Sequence, residues 1–373
     1  MKTHICYIVS SLANEGPVNV MYNIIQYTDF KSFDVSIVTL IPEKENSRLD
    51  DFRKFPINII PLKESKNFIA LYKNLRNIIE RISPQILHAH CFRSLVLMNL
   101  LPRRYKKLYT VHIYPGLQQK TMLGSIKGSL VIFFSHFFTK KCDVAIGCAE
   151  SVAQLYKENK GWDIVSIPNG ASLPIWDKDE AEKNMLKEKL KLKKHVRYFI
   201  FIGRFSKEKN PDVLVKAFLS LKRDDIGLIM LGNGPMWDSL KYGNNVAADS
   251  NIIMPGFILN VYDYLKASDF YISTSDVEGL ANTLLESMSV GLPLLLSDIP
   301  SHREVLGYVN DRKVGCIIQQ HCEKDIRERM LEILDIDVQI AGNMIQKLYE
   351  EKYTAERMSN SYQDLYRITS SHA

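Results

Sequence analysis

The chain has 373 residues, 46% of them hydrophobic, 24% charged and 10% aromatic. That is enough apolar mass for two cores, and it excludes a disordered, collagenous or linker-rich chain. The net charge of +6 is uneven: residues 1–175 carry 22 Lys and Arg against 13 acids, residues 176–373 carry 26 against 29, and Arg81–Cys142 holds ten Lys and Arg with no acid. Such a stretch points to a face that meets anions, and no nucleic-acid-binding motif accompanies it. No apolar run reaches the roughly 18 residues of a spanning helix. The stretch Met1–Val9 lacks a signal-peptide core with a small-residue cleavage site, so secretion is not expected. The six cysteines have no CxxC spacing and the histidines form no ligand cluster, which argues against metal or redox chemistry.

In chain order, apolar runs predict strands at Ile5–Val9, Val35–Leu40, Ile57–Ile60, Ile86–Ala89, Leu108–Val111, Val144–Ile146 and Ile164–Ile167. Helical patterns at Val18–Tyr27, Ile69–Ile82 and Ser151–Asn159 lie between them. A lysine-rich amphipathic segment, Ala181–Lys194, follows, and the pattern restarts. Strands are predicted at Tyr198–Ile202, Gly227–Leu231, Asn251–Met254, Phe270–Thr274, Pro293–Ser297 and Cys316–Ile318. Helices are predicted at Pro211–Leu221, Val261–Ala267, Leu280–Ser289 and Glu323–Leu334. Continuous apolar strands alternating with helices mean α/β architecture with parallel sheets buried on both faces. Two series mean two facing Rossmann-like domains, 1–175 and 190–354, with the helix in 355–373 packing back on the first.

In such sheets ligands bind at the carboxyl ends of strands, so the informative residues follow the strands. After the first strand, Gly16 permits close backbone approach and Pro17 suits a first helical turn, a loop that could equally be turn chemistry alone. After Phe199–Ile202 comes Gly203-Arg204, with Lys209 ahead of Pro211. Two cations at a helix entrance oppose the helix dipole unless an anion lies there, and Arg204 and Lys209 therefore mark an anion site. Gly232-Asn233-Gly234 is a tight turn. After Phe270–Thr274, Glu278 and Gly279 precede helix N-terminal amides, and Glu286 falls just over two turns into an otherwise apolar helix. Carboxylates so placed need donors, and sugar or ribose hydroxyls are suitable ones.

Glu278 and Glu286 form an E-x7-E motif, and with it the chain resembles the retaining family-4 glycosyltransferases of GT-B fold. The resemblance includes Gly203-Arg204 with Lys209, Gly232-x-Gly234, Pro255-Gly256, Pro168-Asn169-Gly170 and Ser297-Asp298. It implies two Rossmann-like domains separated by a cleft. It further implies that Arg204 and Lys209 hold a nucleotide diphosphate, that Glu286 binds the ribose and that Glu278 lies at the donor sugar. Backbone amides of Gly279, Leu280, Ala281, Asn282 and Thr283 would contact sugar and phosphates, with Gly16, Gly203 and Gly234 also lining the donor. His112 would face the reacting centre, and Val261 would read the base by backbone. Three departures stand out: a single Gly16 for the frequent Gly-Gly pair, Ala281 for Pro or Gly, and Ala171-Ser172 for Val-Asp.

The implied reaction moves a hexosyl unit from a nucleotide sugar, UDP-hexose first and GDP-mannose second, to a lipid-diphosphate-linked glycan in cell-surface polysaccharide or O-antigen assembly. Preplaced cations stabilise the departing diphosphate, so Arg204, Lys209, His112 and Glu278 are the expected catalytic group, with no metal and no cofactor. Asp335-Ile336-Asp337 resembles a metal-binding DxD but follows a helix rather than a strand, and is set aside. The acid-free segment carries Arg103-Arg104-Tyr105-Lys106-Lys107 and the apolar Leu130–Phe138 between Lys127 and Lys140-Lys141. That segment reads either as an ordinary core helix or as contact with an anionic membrane. On the second reading the enzyme is cytoplasmic and peripheral at the inner face of the plasma membrane. Two competing readings remain from sequence: a nucleotide-sugar 2-epimerase of related fold, and a non-enzymatic two-domain solute-binding protein.

Overall fold

Each apolar run becomes a strand in one of two parallel sheets. The computed structural model describes residues 2–63, 65, 67–243, 251–309 and 314–371. One unit comprises Met1–Ala171 with Thr354–Ala373, and the other Ser172–Tyr353.

The first unit contains β1 Thr3–Val9, β2 Phe33–Thr39, β3 Asn58–Pro61, β4 Ile86–Ala89, β5 Lys106–Val111, β6 Val144–Gly147 and β7 Val165–Ser166. Their order is β3-β2-β1-β4-β5-β6-β7, all parallel, with Ile5 opposite both Val35 and Ile86. The second unit contains β8 Arg197–Ile202, β9 Ile226–Leu231, β10 Ile252–Gly256, β11 Phe270–Ser273, β12 Leu294–Ser297 and β13 Gly315–Ile318, ordered β10-β9-β8-β11-β12-β13. All thirteen strands match the sequence expectation to within two residues. They match because strands buried on both faces cannot alternate with polar residues: every residue of β9 and of β4 is buried. In each sheet the strand order reverses beside its first strand, between β1 and β4 and between β8 and β11. These two reversals are where an open α/β sheet leaves room for a ligand.

The helices hold two corrections. The lysine-rich helix spans Glu180–Lys189 rather than running to residue 194. It ends because Lys191 takes a left-handed φ of 58° and Leu192 N turns back to the Lys187 carbonyl at 2.7 Å. It docks on the second unit through Lys183 Nζ to Asp269 Oδ1 at 2.6 Å, while Asp269 Oδ2 accepts from Tyr198 N at 2.7 Å. The helix after β11 begins at Asn282, not Leu280, so Glu286 lies just over one turn inside it. Of the DxD-like residues, Asp337 has a structural part: it caps the helix Val338–Lys352, accepting from Gln339 N and Ile340 N. Among the described residues no helix is long and apolar enough to cross a membrane.

The last helix, Ala355–Ser371, belongs to the first unit. Met358, Tyr362 and Tyr366 enter the same core as Ile5, Tyr7 and Ile24. Ser359 Oγ donates to the Ile24 carbonyl at 2.7 Å. The chain's two passes between units run side by side, with Ala355 N donating to the Ala171 carbonyl at 2.8 Å. A Cβ on Gly170 would sit 2.3 Å from the Thr354 carbonyl oxygen, so only glycine allows that approach.

Candidate functional site

The site in the second unit grows from the β8 and β11 ends. Beyond β8, Lys207–Lys209 makes one 3-10 turn, and Asn210 adopts a left-handed φ of 49° before Pro211 starts the next helix. Asn210 Nδ2 donates to the Thr274 carbonyl at 3.0 Å and to Asp276 Oδ1 at 2.6 Å, while Thr274 Oγ1 donates to the Lys209 carbonyl at 2.7 Å. The two loops are thereby stitched together. That stitching brings Lys209 Nζ onto Glu278 Oε1, which also accepts from Ser275 Oγ at 2.8 Å. Burial pushes the Glu278 carboxyl up, but the charge and hydrogen bond of Lys209 outweigh it. With His302 and Ser275 assisting, they hold Glu278 below the usual carboxylate range.

Behind this pair stands a layer that sequence reasoning missed. Ser297 Oγ donates to the Ser275 carbonyl at 2.6 Å. His302 Nδ1 lies 3.0 Å from the Ser297 carbonyl, so that nitrogen carries the proton. Its Nε2 is then a buried lone pair without a partner among the described residues, and burial pushes the ring down to about 4. The missed signal was periodic: Ser275 and Ser297 are hydroxyls at the ends of adjacent parallel strands, as Glu278 is a carboxylate just beyond one.

The rest of the predicted donor set is dispersed over the same strand ends. Arg204 is exposed and makes no ion pair among the described residues. Glu286 and Thr283 flank Tyr271: Thr283 Oγ1 bonds its hydroxyl at 3.1 Å, and the carboxylates Glu278 and Glu286 add to the burial that pushes this phenol up. The helix Asn282–Val290 has no side-chain cap at Ala281; Leu284 N turns back to the Ala281 carbonyl at 3.1 Å, which leaves the Asn282 and Thr283 amides to another acceptor. Gly232, at φ 141°, and Gly234 are glycines for packing: added Cβ atoms would lie 1.9 Å from the Gly203 oxygen and 2.5 Å from the Phe205 oxygen. Gly203 has ordinary space around it. Gly279 and Leu280 lie in the loop before the helix, and Val261 opens the helix Val261–Ala267.

In the first unit, His112 follows β5. Its Nε2 lies 3.0 Å from His90 Nδ1, and burial pushes the ring down to about 3. The rings of His88, His90 and His112 follow one another, tilted by 40° and 34°, with centroids 4.3 and 5.2 Å apart. Gly16 opens the helix Gly16–Gln26, and nothing lies within 4 Å of its Cβ position. The loop before it already satisfies one amide internally, since Leu12 N donates to Glu43 Oε2 at 2.9 Å. The same unit overturns one of the two readings of Leu130–Phe138. It is part of the helix Ser125–Thr139, and Leu130, Phe133, Phe134 and Phe137 are exposed, so it is not a core helix. Lys107 corrects the basic cluster, because it is buried with Nζ on the Leu101 carbonyl at 2.6 Å.

Residues 15–173 match the family model Glycosyltransferase Family 4, and residues 182–352 match Glycosyl transferases group 1. The chain is 28% identical over 343 residues to the Escherichia coli UDP-Gal:alpha-D-GlcNAc-diphosphoundecaprenol alpha-1,3-galactosyltransferase, covering 79% of this chain and 85% of that one. It is 26% identical over 342 residues to the alpha-monoglucosyldiacylglycerol synthase of Streptococcus pneumoniae, covering 87% and 76%. Among solved structures, Anabaena HepE in complex with UDP and glucose superposes with a TM-score of 0.76 at 13% identity, over 97% of this chain and 98% of that one. This last likeness concerns the fold, which is GT-B. With one family model over the bulk of each parallel-sheet unit, the chain belongs to the group 1 and family 4 glycosyltransferases.

Proposed function

We propose that this glycosyltransferase moves a hexosyl unit, with retention, from a UDP-sugar to a lipid-diphosphate-linked glycan in surface polysaccharide assembly. GDP-mannose is the second donor choice. The observation that carries the reading is the Lys209–Glu278 pair at the β8–β11 reversal, a poised cation beside a carboxylate kept charged. Glycosyl transfer builds negative charge on the departing diphosphate while the anomeric carbon becomes cationic. Lys209 and Arg204 would meet the first charge, supported by the amides of Gly279 to Thr283, and interactions stronger in the transition state lower the barrier. Glu278 and His112 would orient the sugar, and Glu286 the ribose. His112, held neutral, would do so by hydrogen bonding rather than by charge. Gly16, Gly203 and Gly234 would admit the donor backbone-close, and Val261 would lie at the base. The lipid-diphosphate acceptor is supported by the Escherichia coli relative, which is named for a diphosphoundecaprenol-linked acceptor. Both family models name glycosyltransferases, which sets aside the epimerase and solute-receptor readings.

A panel of UDP-, GDP- and ADP-sugars, scored by thermal shift and then by transfer to an undecaprenyl-diphosphate glycan, tests the donor and the acceptor together. A UDP-hexose should stabilise and turn over; stabilisation by GDP-mannose alone would overturn the first choice. With two cations on the diphosphate, no metal is required. Turnover in excess EDTA should equal turnover in Mg²⁺, and a loss above tenfold would refute metal independence.

The same reading places the enzyme at the inner face of the plasma membrane. Ile126, Leu130, Phe133 and Phe134 are exposed on one helix that also carries Lys127, with Lys140 and Lys141 just beyond it, a composition suited to an anionic interface. In flotation, phosphatidylglycerol vesicles should carry the protein and phosphatidylcholine vesicles should not. Replacing Lys127, Lys140 and Lys141 by Glu should abolish flotation; unchanged flotation would count against membrane contact.

A further inference from the structure

The first unit holds a groove that none of the donor chemistry uses. It lies where the helices Leu117–Leu123 and Ser125–Thr139 meet the segment carrying Trp162, and its volume is about 830 Å³. The two helices can close this corner because of Gly128. A Cβ there would fall 2.7 Å from the Gln119 oxygen and from Lys120 Cα.

Two chemistries line the groove. Phe133, Phe137 and Trp162 supply aromatic surface, and Phe133 is 62% exposed. Lys120, Lys140, Lys141 and Lys160 supply four cations on the same lining. These groups alternate rather than separate: Lys140 Nζ lies 5.5 Å from the Trp162 ring centre, and Lys141 Nζ 4.2 Å from that of Phe137. The acid beside Trp162, Asp163, pairs with Lys157 at 3.1 Å. His136 lines the groove too, only 8% exposed, with Nδ1 buried and without a partner among the described residues.

The size is that of a site for a single small molecule. A flat bilayer surface would account for exposed phenylalanines but not for a concavity with ammonium groups seated on its aromatic walls. Four cations with no carboxylate among the lining residues exceed what one phosphate monoester neutralises, and a diphosphate matches them better. We infer that this groove holds the lipid end of the acceptor, an isoprenoid-type diphosphate. Lys140, Lys141 and Lys160 take the phosphates, while Phe133, Phe137 and Trp162 take the first carbons of the chain. The inference rests on the lipid-diphosphate acceptor proposed above, and adds where on this chain that lipid is gripped.

The test is direct binding by calorimetry, with farnesyl diphosphate as a water-soluble probe and UDP present at saturation to occupy the donor site. Farnesyl diphosphate should bind at least tenfold more tightly than pyrophosphate alone or farnesol alone. Affinity should fall at least tenfold in both the Lys140→Ala/Lys141→Ala and the Phe133→Asp variants, with the UDP-induced thermal shift unchanged as the folding control. Equal affinity in the wild type and both variants overturns the inference, as does binding to phosphatidylglycerol vesicles without binding to farnesyl diphosphate. Failure of the acceptor reading looks different. The probe would bind and the variants would lose it, yet no lipid-diphosphate glycan would be turned over.

Discussion

Replacing Lys209 by Met should lower kcat by about 10²- to 10³-fold, the range for loss of one transition-state donor, with a smaller change in KM. Lys209→Arg should recover part of the rate, because it keeps the charge with a different reach. The same change carries a stability signature. In the wild type Glu278 is held below the ordinary carboxylate range, so its contribution is present above the unfolded-state value and is lost as pH falls through the folded one. Without Lys209, burial is the dominant influence left on Glu278, and the carboxyl rises instead. The variant should then be destabilised at pH 7 by a few kcal/mol, toward the low end of the roughly 3–5 found when one partner of a buried pair is removed, because Lys209 retains 21% exposure and Glu278 10%. The penalty should shrink as pH falls through the ordinary carboxylate range and vanish only below it, once wild-type Glu278 is protonated too. Adding Glu278→Gln to Lys209→Met should restore stability at pH 7 without restoring rate. Urea denaturation at pH 7 and pH 4 with initial-rate kinetics separates the two effects. A rate within threefold of wild type would end the diphosphate assignment.

What was legible in the sequence follows from which constraints are local. A strand buried on both faces must be apolar along its length, so β4 and β9 announced themselves. Glu278 and Lys209 were legible because a charge beside a glycine or proline at a strand end has little else to do. Their direct pairing was not, because it depends on a third group, Asn210, whose left-handed backbone and bonds to Thr274 and Asp276 align two loops 60-odd residues apart. His302 was invisible, and Ser297 stood out only as a landmark of the resemblance, for the same reason: their roles rest on parallel neighbours in space. The helix Ser125–Thr139 shows the converse limit. Its run of aromatic residues fits a core as well as an interface, and only exposure excludes the core. Lys107 looked like surface charge, yet its stem lies in the core and its ammonium caps the carbonyls of Asn99 and Leu101.

Acid should unfold the first unit well before the second. Four of its histidines are buried and pushed down, chiefly by burial: His88 and His112 to about 3, His136 to about 4, and His90 well below the ordinary value. The second unit has one such group, His302, at about 4. A histidine whose folded value is lowered binds its proton more readily when unfolded. Stability is therefore full above the unfolded value near 6.5 and declines as pH falls toward the folded one. Each such group contributes up to about 1.4 kcal/mol per pH unit within that window, so four steepen the loss in one unit while the other changes slowly. The first unit cannot relieve this by rotating a ring into water. His88 is locked by Tyr366 OH on Nδ1 at 2.8 Å and Thr110 Oγ1 on Nε2 at 2.9 Å, and Tyr366 and Tyr362 come from the C-terminal helix. Protonating His88 thus loosens that helix as well as the sheet. Calorimetry of the full chain at pH 7.5 and pH 5 should show a lower-melting transition that separates and falls with pH. Trp162 fluorescence should report it ahead of Trp176 and Trp237, which lie in the other unit. Replacing Tyr366 by Phe removes the partner of both His88 Nδ1 and Tyr7 OH. That should lower the same transition at pH 7.5 already, by about 1–3 kcal/mol for each buried group left unsatisfied. A single transition with the same midpoint at both pH values would show that the buried histidines do not govern acid stability.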